Sequence, residues 1–129
     1  EYQREVKFGL HSRFDFELKN KTKKAFLEVK NVTLSRQNGI AEFPDAVTSR
    51  GLKHLEELEK AITKGYESFL IYLVQREDCK EFRIAKDIDP KYYEGFLKAK
   101  KNGVKFRSYS CKVNEKEIYV NKPIKIVFK

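Results

Sequence analysis

Two acids and two bases occur in a pattern that could handle a phosphate. Residues 13–18 and 25–34 are short runs in which apolar and polar residues alternate, and Asn20-Lys21-Thr22-Lys23 between them is a polar turn. The spacing predicts two strands joined as a hairpin. A turn symmetric about Lys21 and Thr22 sets Phe14 against Val29, Phe16 against Leu27 and Leu18 against Ala25, so one face is wholly apolar. A one-residue slip would turn every side chain over, which favours this register. The other face then pairs Arg13 with Lys30, Asp15 with Glu28 and Glu17 with Phe26.

Like charges opposed in a sheet sit about 5 Å apart at Cβ and destabilise it. Two carboxylates at that distance repel by about 3 kcal/mol at an effective dielectric near 20. A hard divalent cation such as Mg²⁺ would relieve Asp15 and Glu28. An anion such as a phosphate would relieve Arg13 and Lys30. Such a wall suits metal-dependent cleavage of a phosphodiester: the acids hold the metal, and Lys30 supports the nucleophile or the developing charge. The plainer alternative is an amphipathic hairpin whose charges face solvent.

The elements that must position this wall follow along the chain. Residues 5–8 read as an edge strand, Gln37-Asn38-Gly39 as a turn, and Phe43-Pro44-Asp45 as the close of an irregular loop. Thr48 or Ser49 can cap a helix carrying Leu52, Leu55, Leu58 and Ile62 at helical spacing, with Gly65 as its stop. Off its apolar stripe lie Arg50, Lys53, His54 and Glu57; Arg50 and His54 share a face and could meet a phosphate backbone, solvation being the commoner outcome. Residues 66–75 read as a strand apolar on both faces. Asp89 caps a second helix with Pro90 at its first position, Tyr93, Phe96 and Leu97 inward, and Gly103 as its stop. Residues 104–113 and 117–128 complete the sheet, with Pro123 marking an edge or a bulge. The order β-β-β-α-β-α-β-β describes one α/β (α+β) domain, a mixed sheet flanked by helices.

Other chemistries lack their residues. His11 and His54 do not have the spacing of a metal pair, and Tyr92, Tyr93, Tyr109 and Tyr119 read as packing. There is no Gly-rich phosphate loop, no G-x-S-x-G and no Cys/His nucleophile arrangement. Cys79 and Cys111 form no C-x-x-C and read as reduced thiols of a cytoplasmic protein. The longest apolar run, residues 69–74, is far short of the roughly 20 residues of a membrane span, and with no charged-then-apolar run at residues 1–20 secretion is not expected. With no Met among the 129 residues, Glu1 is not expected to be a translational start. The 28 Lys+Arg against 19 Asp+Glu leave +9, a surface that favours an anionic partner, nucleic acid first.

Several runs resemble the sugar fermentation stimulation protein family, SfsA. They are Ser12-Arg13-Phe14-Asp15-Phe16, Glu28-Val29-Lys30-Asn31-Val32-Thr33-Leu34, and Phe43-Pro44-Asp45-Ala46-Val47-Thr48-Ser49-Arg50-Gly51-Leu52-Lys53-His54-Leu55. Tyr72-Leu73-Val74-Gln75-Arg76 and Ile88-Asp89-Pro90 are similar to its later blocks. The resemblance implies a PD-(D/E)xK restriction-endonuclease-like core over residues 1–129. The family's N-terminal OB-fold-like domain, and the first helix of its core, would then be absent from this chain. It also implies that Asp15, Glu28 and Lys30 form the catalytic signature, the two acids binding Mg²⁺ or Mn²⁺, with Gln75 as an accessory residue. Members are described as DNA-binding and linked to sugar metabolism. The expected function is therefore DNA binding with a nuclease-like site, Arg13, Arg50, Lys53 and His54 holding the backbone. The alternative is a non-catalytic DNA-binding regulator of sugar metabolism genes. DNA is the expected partner, a membrane is not, and a homo-oligomer remains open.

Overall fold

The computed structural model describes the backbone of residues 2–8, 12–19, 23–113 and 118–128, and the side chains of residues 23–112 and 120–128. The strands are β1 (Tyr2–Phe8), β2 (Ser12–Lys19), β3 (Lys24–Val32), β4 (Leu34–Gln37), β5 (Ile40–Phe43), β6 (Glu67–Val74), β7 (Glu81–Ile84), β8 (Lys105–Val113) and β9 (Ile118–Ile126). Helix α1 (Ser49–Thr63) precedes β6 and helix α2 (Pro90–Lys101) precedes β8. The strands form one sheet in the order β1-β2-β3-β6-β8-β9-β7-β5-β4. Its pairing is mixed: β3, β6 and β8 run parallel, as do β9, β7 and β5, while β1-β2-β3, β8-β9 and β4-β5 are antiparallel.

The sheet is curled, as its aromatic contacts require. Strands β6 and β7 are three steps apart, about 14 Å along a flat sheet at ~4.8 Å per step. Yet the rings of Tyr72 on β6 and Phe82 on β7 stack with centroids 4.5 Å apart. Phe43 of β5 also reaches Tyr72, at 5.5 Å. The concave interior is thus filled by Tyr72, Phe82, Leu70, Val74 and Phe106 of the sheet, Leu55, Leu58 and Ala61 of α1, and Tyr92, Phe96 and Ala99 of α2.

The helices start and stop where their sequence signals lie. Thr48 caps α1 by accepting from the Gly51 backbone N–H, and Asp89 caps α2 by accepting from that of Tyr92, with Pro90 at the first position. Gly65 and Gly103 follow the two ends. Helix α2 approaches α1 closely, because a Cβ on Gly95 would come within 2.4 Å of Leu52 Cδ1.

Several expectations are corrected. The four-residue strands β4 and β5 lie where a turn and an irregular loop were read, and β7 lies in a stretch given no element; each is too short to show an alternating period against its neighbours. Strand β3 ends at Val32, two residues early. Strand β6 alternates between buried and half-buried positions, so only one of its faces is fully covered. On α2, Tyr92 points inward with Phe96 and Ala99, while Leu97 is 40% exposed and Tyr93 half-buried. Both stripes are apolar at helical spacing. The phase is set by tertiary contact, since Asp89 also accepts from the backbone N–H of Thr48 and ties the start of α2 to that of α1. Beyond this, the register shift at Ser110/Cys111 in the β8–β9 ladder puts a bulge close to Pro123.

Candidate active site where helix α1 meets strand β3

The hairpin register is the one the sequence implies. Phe16 pairs with Leu27, Glu17 with Phe26, Leu18 with Ala25 and Lys19 with Lys24. The two faces of β3, however, are used the other way round from the plain amphipathic reading. Phe26, Glu28 and Val32 are buried beneath the helices, whereas Leu27 and Val29 are only half-buried. The polar face of this strand is therefore an interior face, and Glu28 lies in it at 4% exposure.

Lys30 follows on the same face, and α1 supplies a third group. Gly51, Leu55 and Leu58 form the buried stripe of α1, and His54 stands at its edge. Lys30 Nζ lies 2.8 Å from His54 Nδ1 and 3.6 Å from Glu28 Oε1. His54 Nδ1 lies 3.5 Å from the same carboxylate oxygen. The side chains of Lys30 and His54 are 15% and 13% exposed, so this triangle sits at the rim of the core rather than in bulk water. His54 is thus not the solvated helix residue that its position off the apolar stripe suggested.

The floor beside this cluster is polar at one point. Lys30 pairs in register with Tyr72 of β6, whose hydroxyl is 2.6 Å from that of Tyr92. Burial raises both phenols above the ordinary tyrosine range. At Tyr92 the bond from Tyr72 opposes this, and the charge on Glu28 adds to it. Of this pair, Tyr92 was expected only as packing, and the bond between the two hydroxyls was not foreseen.

The remaining candidates are distributed as follows. Asp15 precedes Phe16 on β2, the strand beside β3; its side chain and that of Arg13 lie outside the described residues. Arg50 and Lys53 are exposed on the first two turns of α1, the end of the helix that carries His54. Gln75 is placed apart. Its backbone N–H bonds to Val32 and its amide donates to Asn31 Oδ1 at 2.8 Å. The strand partner of Glu28 is Leu70, and the five residues from there to Gln75 span about 16 Å.

Glu28 offers a metal hard carboxylate oxygens, the donor type that Mg²⁺, Mn²⁺ or Ca²⁺ takes. Among the described residues no group of three or more His, Cys, Asp or Glu side chains is arranged to hold an ion.

A second charged cluster, not foreseen from the sequence, braces the opposite edge of the sheet. Arg36 of β4 grips both oxygens of Glu42 at 2.9 Å and both of Asp87 at 2.7 and 2.8 Å, while Arg83 donates to Glu42 at 3.0 Å. Glu42 is 1% exposed, and the bonds from Arg36 hold its carboxyl below the usual range; the same guanidinium lowers Asp87 to about 2. A spacing of six across the turn between β4 and β5 would have signalled Arg36 with Glu42, but Asp87 is 51 residues away.

Curled mixed sheet and two helices together make this a domain of nuclease-like fold. A sequence model of the family described as "Sugar fermentation stimulation protein RE domain" matches residues 1–117. The chain belongs to the SfsA family. It is 56% identical over 123 residues to the sugar fermentation stimulation protein homolog of Pelagibacter ubique, covering 95% of this chain and 53% of that protein. The homolog from Rhodospirillum centenum is 46% identical over 125 residues, 96% of this chain and 54% of the other. The chain therefore spans about half the length of the curated relatives it matches. Among solved structures, that of Pyrococcus furiosus SfsA in complex with Ca²⁺ superposes with a TM-score of 0.88 at 26% identity, covering 98% of this chain and 54% of that one.

Proposed function

We propose that this domain carries the divalent-metal-dependent, phosphodiester-cleaving site of a DNA-binding protein. The observation that carries this reading is the triangle of Glu28, Lys30 and His54, a carboxylate and a cation held on one interior face of β3 at the edge of the core. Burying a charge is costly unless it is paired, and here the Glu28 carboxylate faces the Lys30 ammonium. The Ca²⁺ complex of the Pyrococcus furiosus relative supports a divalent cation as the ligand. The net charge of +9 supports DNA as the partner.

In this reading Glu28, with Asp15 on the adjacent strand, supplies hard oxygen ligands to Mg²⁺ or Mn²⁺. The bound cation would polarise the phosphate and make water a better nucleophile. Lys30 aims its ammonium at the same place, where negative charge develops on the phosphoryl oxygens. Arg50 and Lys53, exposed on the outer side of the same helix end, hold the flanking phosphates, with Arg13 as a third contact.

The test is Mn²⁺ calorimetry with plasmid nicking, on the parent, Asp15→Asn and Glu28→Gln. The parent is expected to bind Mn²⁺ and nick DNA, with both variants losing both properties while still retarding DNA in a gel. A parent that binds DNA but neither takes up Mn²⁺ nor cuts would replace this reading with the non-catalytic regulator.

A further inference from the structure

The contact of His54 with Lys30 has a consequence that neither metal binding nor backbone contact requires. A lysine ammonium has three hydrogens to donate and no acceptor. The hydrogen in the 2.8 Å contact therefore comes from Lys30 Nζ, and His54 Nδ1 receives it. With Lys30 as an ammonium, this leaves the ring proton of a neutral His54 on Nε2. Lysine is a flexible stem ending in a point charge. Here its end is fixed from two elements at once, by Glu28 two residues earlier on β3 and by His54 across the seam to α1. Neither partner alone defines a position, because each leaves the stem free to swing about it. Together they place Nζ at one corner of a triangle whose other sides are 3.5 and 3.6 Å.

We infer that His54 is a positioning residue for Lys30: it accepts one ammonium hydrogen and so holds Nζ beside the Glu28 carboxylate, where the proposed reaction takes place. Its role in the reaction rests on the nuclease reading above; the geometry it imposes on Lys30 does not. Arg50, one turn earlier and exposed, remains the group on this face that is free to reach a phosphate, and His54 acts through Lys30 instead.

The experiment uses the intact ¹⁵N-labelled chain together with His54→Ala and His54→Asn. Asparagine sets its Oδ1 close to where Nδ1 lies and can take the same hydrogen. Nitrogen NMR of the parent is expected to show His54 protonated on Nε2 only, and one lysine ammonium protected from exchange that Lys30→Arg removes. That resonance should disappear in His54→Ala and persist in His54→Asn. In Mn²⁺-dependent cleavage, His54→Ala should lower the rate by about 10- to 100-fold, the range seen when the support of a working side chain is removed. Affinities for Mn²⁺ and DNA should stay within twofold of the parent, and His54→Asn should recover most of the rate. A proton on Nδ1, or a Lys30 resonance unchanged in His54→Ala, would overturn the inference. So would a loss of Mn²⁺ affinity and rate shared equally by both variants, the mark of a purely structural side chain. If the parent itself does not cut DNA, the nuclease reading fails, and the NMR outcome still decides whether His54 positions Lys30.

Discussion

The buried tyrosine pair gives a quantitative check on how the interior beside Glu28 is built. Tyr72 and Tyr92 are fully buried, their hydroxyls are 2.6 Å apart, and each ring is held by other aromatics: Tyr72 by Phe82 and Phe43, Tyr92 by Phe43. Replacing either by Phe keeps the ring contacts and removes one oxygen. The lost bond itself is worth about 1 kcal/mol net, but the surviving hydroxyl is left in an apolar setting at a cost of about 1–3 kcal/mol. Each single variant should thus lose about 2–4 kcal/mol. For a chain of 129 residues that corresponds to a fall in Tm of roughly 6–20 °C, at about 3–5 °C per kcal/mol. The double variant Tyr72→Phe/Tyr92→Phe strands no hydroxyl, so it should lie within about 1 kcal/mol of the parent. The pair would then show a favourable coupling of at least about 3 kcal/mol in a double-mutant cycle. Urea unfolding with calorimetry measures all four proteins. Additive losses in the double variant would refute the reasoning, because they would mean that each hydroxyl finds its partner elsewhere.

Two further outcomes follow from the charged groups. Glu42 and Asp87 are depressed in the fold by Arg36, Asp87 to about 2, whereas unfolded carboxylates titrate near ~4. A depressed carboxylate contributes stability that is complete above its unfolded value and is lost as pH falls toward its folded one. Tm should accordingly fall between about pH 4 and 2, and Arg36→Gln should flatten that acid limb while lowering Tm at neutral pH; an unchanged acid slope would exclude the network as its source. Arg50→Gln and Lys53→Gln should each reduce the slope of log K against log salt for duplex binding by about 0.9, measured by fluorescence anisotropy; an unchanged slope would remove that residue from the interface.

The legible parts of the fold are those that local patterns determine. The hairpin register followed from alternation and one polar turn, because only one pairing gathers Phe16, Leu18, Leu27 and Ala25 on a common face. Both helices announced their caps: Thr48 and Asp89 are short oxygen-bearing residues just ahead of apolar stripes. What stayed hidden depended on contacts distant in sequence. Alternation on β3 shows that its two faces differ but not which of them the helices cover. Glu28 could therefore be read as a surface acid, although it is almost fully buried. The phase of α2 was ambiguous for the same reason, since Tyr92 and Tyr93 begin equally apolar stripes. His54 carried a faint signal in being three residues beyond Gly51 and next to Leu55, at the margin of the buried stripe. Lys30 was marked as a candidate, but nothing in the sequence joined it to His54, 24 positions away on another element.

The arrangement also shows why the site depends on the helices as a pair. Asp89 Oδ1 accepts from the Tyr92 backbone at 3.1 Å and Oδ2 from Thr48 at 2.9 Å, so one buried carboxylate serves the starts of α1 and α2 together. Both helix N-termini carry partial positive charge, and the acid suits them. Thr48 in turn caps Gly51, whose missing side chain leaves room for the Tyr92 ring: a Cβ there would lie 3.2 Å from Tyr92 Cε1. The first turn of α1 is thereby locked against α2, and α2 against the sheet through Tyr92 and Tyr72. His54 lies one turn further along this locked segment, which fixes its ring opposite Lys30. A single carboxylate remote from the charged triangle thus sets the distance between helix and strand on which the triangle depends.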